Sequence, residues 1–82
     1  MDYYLFSLKS ITTAQRMQQV LERAGIRSTI QRAPAGLSQK GCSYVLHISA
    51  ARYRDGLDLL KQYGMNPMGV FAYENGSYRE VK

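Results

Sequence analysis

The stretch Pro34–Ile48, P-A-G-L-S-Q-K-G-C-S-Y-V-L-H-I, decides how the chain folds. Its first half is polar and punctuated by Gly36 and Gly41. Its second half alternates, with Cys42, Tyr44, Leu46 and Ile48 on one side and Ser43, Val45 and His47 on the other. Successive side chains of a strand point to opposite faces, so residues 42–48 read as a strand with Leu46 and Ile48 turned to the core. Ala33-Pro34 stops the preceding strand, because proline has no N–H for a ladder and restricts the residue before it. The connection between the two strands is long for so small a chain, and such loops tend to carry function. Cys42, the only cysteine, stands where this loop hands over to the strand.

Working outward, Ile26–Arg32 reads as a strand in which Ser28, Ile30 and Arg32 alternate with Arg27, Thr29 and Gln31, polar enough for a sheet edge. Before it, Ala14, Met17, Val20, Leu21 and Ala24 recur at helical spacing, with Ser10 or Thr12 as cap and Gly25 as stop. Tyr3–Leu8, apolar at most positions, suits a central strand. On the other side, Ser49 reads as the cap of a second helix with the stripe Ala50, Tyr53, Leu57 and Leu60, ending at Tyr63-Gly64. Gly56 inside this helix implies close packing. Met68–Tyr73 reads as a fourth strand. Asn75-Gly76 is the strongest two-residue hairpin signal, leaving Ser77–Val81 to return as a short fifth strand or to fray. The order β-α-β-β-α-β is that of an α+β ferredoxin-like plait: one domain over residues 1–82, four antiparallel strands and two helices on one face.

With 82 residues and 45% apolar content the core is thin but sufficient. One cysteine excludes an internal disulfide, and the absence of a Cys/His cluster excludes a metal framework. No phosphate-binding glycine motif is present and no cofactor is expected. No basic segment precedes an apolar run, and no run reaches about 20 residues, so the reading is of a cytoplasmic chain without membrane contact. The net charge of +5 is scattered rather than clustered.

Cys42 is either a small core residue, as its parity with Leu46 suggests, or a reactive thiol at the rim of the core. The topology is expected to place the start of its strand with the start of the first strand and the C-termini of both helices, where no helix N-terminus is near and the helix dipoles oppose the thiolate. Activation then falls to Lys40, Arg32 or the amine of Met1, with Gly41 and Ser43 shaping the loop. His47 lies on the opposite strand face and cannot pair with Cys42. Asp55 and Asp58 sit among Arg52, Arg54 and Lys61 and read as a solvated face. K-G-C-S-Y-V-L-H partly matches the third-strand signature of RRM domains, but matching its parity would send Leu46 and Ile48 to solvent, which argues against nucleic acid as a partner. Tyr3, Leu5, Val45 and His47, with Ala72 or Tyr73 depending on register, would form an apolar open sheet face fit for a homodimer.

The chain also resembles the small bacterial selenium/sulfur (Se/S) carrier-like proteins over nearly its whole length. The resemblance rests on the aromatic first strand, the helix ending in Ala24-Gly25-Ile26, the loop with Pro34 and Ser38, and Cys42 opening an apolar strand. It continues through Leu57 and Leu60 to the closing Gly69-Val70-Phe71. Many such proteins have glycine after the cysteine, where this chain has Ser43 and carries Gly41 before it. The resemblance implies a carrier rather than a stand-alone enzyme. Cys42 would hold a persulfide or selenopersulfide between a protein donor and a protein acceptor. The alternative is a non-catalytic interaction or dimerisation module with a structural cysteine, and behind it a nucleic-acid-binding domain.

Overall fold

The computed structural model describes residues 3–38 and 43–81. Its elements in chain order are β1 (Tyr3–Leu8), α1 (Ile11–Arg23), β2 (Ser28–Arg32), α2 (Ala35–Ser38), β3 (Tyr44–Ser49), α3 (Tyr53–Gln62), β4 (Gly69–Glu74) and β5 (Ser77–Val81). The strands form one antiparallel sheet in the order β2-β3-β1-β4-β5. This is the ferredoxin-like plait extended by a fifth strand.

The local signals act where the sequence places them. Ser10 caps α1, its Oγ accepting from the Thr13 N–H at 3.2 Å. Gly25 and Gly64, just past the two long helices, take the left-handed conformations that end them, with φ of 78° and 72°. Asn75 and Gly76 both have positive φ, as a hairpin turn whose twist matches its strands requires, and β5 pairs with β4 from Val70↔Val81 to Glu74↔Ser77. Several boundaries differ from expectation: β2 begins at Ser28, β3 at Tyr44 and β4 at Gly69, and Ala50 lies exposed in a turn before α3. Ser49 remains in β3, paired with Tyr3, and the N-cap of α3 is Arg52, which makes no side-chain capping bond. The polar loop contains the single turn α2.

The alternation in β3 holds: Leu46 and Ile48 join Phe6, Leu8, Ala14, Met17, Leu21 and Leu60 in the core between the sheet and α1 and α3. At Gly56 an added Cβ would lie 2.9 Å from Ile48 Cδ1 and 3.2 Å from Leu21 Cδ2. The glycine is there because a buried strand and a buried helix meet at that point.

The other sheet face is not open at its centre. Leu5 and Phe71 oppose each other across β1 and β4. Together with Val45 they are covered by Leu37 of α2, and the four are 1%, 5%, 0% and 2% exposed in the order Leu5, Phe71, Val45, Leu37. The loop therefore builds a second, small core where the sequence suggested free apolar surface. Register also settles which β4 residues share this face. They are Gly69, Phe71 and Tyr73, whereas Ala72 pairs with Tyr4 and is buried on the helix side.

Candidate functional site

Arg32 and Ser43 come together at one end of the sheet. Ser43, the residue before β3, donates its N–H to the Leu8 carbonyl at 3.0 Å and accepts from the Ala33 N–H at 3.0 Å. Arg32, the last residue of β2, is exposed and lies opposite Tyr44. Cys42, Lys40 and Gly41 lie outside the described residues.

The strand directions overturn the surroundings expected from the sequence. Leu8 opposes Tyr44 and Tyr3 opposes Ser49, so β3 begins beside the end of β1 and not beside its start. An antiparallel neighbour cannot do otherwise. β1 enters the sheet at the far end of β3, which removes the ground for naming the Met1 amine, a residue itself outside the described ones. One helix end changes as well. α1 starts at Ile11, three residues after Ser43's partner Leu8, so its N-terminus, not its C-terminus, adjoins this end. α1 is also the helix that packs over β2, β3 and β1, and its first turn carries no acidic residue. A helix N-terminus holds roughly half a positive charge. α3 runs the other way, from the end of β3 to β4, whose start lies opposite Ser7, so its C-terminus lies at this end as the sequence reading expects, and the two helix dipoles oppose each other there.

Lys9 is a cation that sequence reasoning missed. It directly follows Leu8, and only the pairing of β1 with β3 brings it to the end of the sheet where Ser43 lies. Among the described residues no three His, Cys, Asp or Glu side chains gather as a metal site. No helix among them is long and apolar enough to cross a membrane.

His47 belongs to a different assembly. On the face away from α1 and α3 it stacks on Tyr3, with ring centroids 3.9 Å apart, and Tyr3 stacks on Tyr73 at 4.7 Å. Tyr78 of β5 extends the row, tilted against Tyr73 at 5.0 Å. Four strands thus contribute one ring each. The Asn75-Gly76 turn signals β5 and the pairing of Tyr78 with Tyr73, whereas the register of β4 on β1 that sets Tyr73 beside Tyr3 is a long-range pairing that no local signal carries.

No curated protein and no solved structure matches the chain. The family described as "Putative Se/S carrier protein-like" matches residues 3–72, from the first residue of β1 to Ala72 of β4, and the chain belongs to that family.

Proposed function

We propose that this chain carries sulfur or selenium on Cys42, moving it from one protein to another. The observation that carries the reading is that the family match spans the only cysteine in the chain. The step needs one thiolate and no redox partner. Cys42–S⁻ attacks the outer sulfur of a donor persulfide R–S–SH, the donor S–S bond breaks as the new one forms, and the products are Cys42–S–SH and R–S⁻. With R–S–SeH the product is Cys42–S–SeH. The acceptor protein takes the terminal atom by the same exchange in reverse.

What favours the thiolate can be ranked by magnitude. A helix end contributes about 0.3–1 kcal/mol to a nearby charge, and one pKa unit corresponds to about 1.4 kcal/mol. At this end of the sheet the N-terminus of α1 and the C-terminus of α3 act in opposite directions, so helix dipoles contribute little net. Cations must supply the remainder, and Lys40, Arg32 and Lys9 are the candidates.

Incubation with a cysteine desulfurase and free cysteine tests the reading, with intact mass recorded before and after reduction. The wild-type chain is expected to gain one reducible sulfur, and Cys42→Ser none. A wild-type chain that gains nothing, or a Cys42→Ser variant that gains as much, rules the carrier out.

A further inference from the structure

At the opposite end of β3 from Ser43 the molecule holds a cavity of about 530 Å³, within the size range of small-molecule sites. Its walls come from elements distant in sequence: Tyr3 at the start of β1, Arg27 before β2 and Thr29 within it, His47 and Ser49 at the end of β3, and Arg52 at the start of α3. Ser49 stands five residues after Tyr44, roughly 17 Å along an extended strand. The cavity is therefore separate from the end at which the thiol precedes β3.

Three properties define what it fits. The first is charge: two of these wall residues, Arg27 and Arg52, carry guanidinium ions, and no carboxylate of the described residues lines the cavity. Arg27 makes no hydrogen bond or ion pair among the described residues. Arg52 touches Asp55 through Nε at 3.5 Å, with both side chains well exposed. A guanidinium has five N–H donors in a planar fork, so this weak contact leaves others for a ligand. The second is shape. His47 is the terminal ring of the aromatic row: Tyr3 covers one of its faces, and small Thr29 is its register partner on β2, beyond which the sheet ends. A planar ring entering beside His47 would continue the stack. The third is polarity, since the hydroxyls of Thr29 and Ser49 offer hydrogen bonds at the rim.

We propose that this cavity binds a nucleoside phosphate, with the base stacked in line with His47 and Tyr3 and the phosphate held by Arg27 and Arg52. A single nucleotide fits better than a nucleic-acid strand laid across the sheet. Strand-binding sheets offer the flat faces of their aromatics to successive bases. Here Tyr3 has its faces taken by His47 and Tyr73, so the row offers a stacking position at its end and no platform along its length.

Amide and side-chain NMR titration of the full chain with AMP and UMP tests this, with adenosine, inorganic phosphate and a uridine decamer as comparisons. A mononucleotide is expected to bind with a Kd below about 1 mM, shifting Tyr3, Thr29, His47 and Ser49. Adenosine and phosphate alone should each bind at least about tenfold more weakly, because each uses half of the site. Arg27→Met, at an exposed position where folding is not at stake, should weaken AMP at least about tenfold, and Cys42→Ser should leave it unchanged. The proposal is overturned if no localised shifts appear up to about 5 mM nucleotide, if phosphate binds as tightly as AMP, or if Arg27→Met is without effect. It is equally overturned if the decamer binds more tightly than AMP and shifts Tyr73 and Tyr78. Loss of sulfur loading with nucleotide binding intact, or the reverse, separates this proposal from the carrier function.

Discussion

Ser28 shows how far one buried oxygen can be read. The residue is 7% exposed and sits on β2 facing the helices, opposite Ile48. Its carbonyl is satisfied by Gln18 Nε2 at 3.0 Å, but its Oγ is buried with no hydrogen-bond partner among the described residues. A desolvated hydroxyl left unpaired costs about 1–3 kcal/mol, whereas the bond to the carbonyl does not depend on the side chain. Ser28→Ala is therefore expected to raise stability by about 1 kcal/mol, or roughly 4–8 °C in melting temperature for a domain of this size. A calorimetric scan decides it, and a lower melting temperature would show that the hydroxyl has a partner. The sequence gives no hint of this, because alternation in a polar edge strand places Ser28 on a face without saying what meets it. Gly56 is the converse case. Its position inside a helical stripe implied close packing, and the neighbours of its Cα supply the reason.

Among the elements, the short turn α2 has the largest effect relative to its length. Four residues hold Leu37 over Leu5, Val45 and Phe71 and convert a sheet face into a second core. Its entry is fixed by Leu37 N–H to the Pro34 carbonyl at 2.9 Å, and the loop's exit is fixed by the two bonds of Ser43. Leu37→Ala should cost about 2–3 kcal/mol, the lower part of the range for a buried leucine, since the site lies near the surface and can partly collapse. Met68→Ala, at a residue 46% exposed, should change stability by less than about 0.5 kcal/mol. Urea denaturation of the two variants makes the comparison, and equal effects would mean that α2 does not seal the face. The same segment leads into the residues before β3, so Leu37→Ala is also the variant that separates loop anchoring from the chemistry of Cys42. Aromatic and apolar parity alone suggested an open face, because the covering residue comes from a loop with no periodicity.

At the scale of the whole molecule, tyrosines make stability depend on alkaline pH. Tyr3 is raised above the ordinary phenol value, first by burial and then by its hydrogen bond and charge coupling to Tyr78. Tyr4 is raised first by burial and then by Tyr53, on which its ring stacks at 3.6 Å. Both therefore keep their protons in the folded chain at a pH where the unfolded chain begins to lose them. The unfolded state then binds fewer protons than the native state, so stability falls as pH rises. The contribution is complete below about pH 10 and is lost above it, through the raised folded values. Melting temperatures measured through this range should fall, less steeply for Tyr4→Phe, and absorbance titration should show a late-ionising fraction among the seven tyrosines. A wild-type protein and Tyr4→Phe with identical alkaline profiles would contradict it.

The sequence by itself determined the elements: the stripes of α1 and α3, the parity of Leu46 and Ile48, the stops at Gly25 and Gly64, and the turn at Asn75-Gly76. These are local preferences, expressed within a few residues of the atoms that enforce them. It also carried the family, through features spread over nearly the whole chain, and the family match spans residues 3–72. Only the tertiary structure decided which ends meet. Pairing of β1 with β3, some forty residues apart, brings Lys9 and the N-terminus of α1 to the start of β3 and gathers Tyr3, Arg27, His47 and Arg52 around one cavity. The physical reason is that strand direction and register are set by burying both faces of the sheet at once, under α1 and α3 on one side and Leu37 on the other. No single stretch of the chain contains that condition.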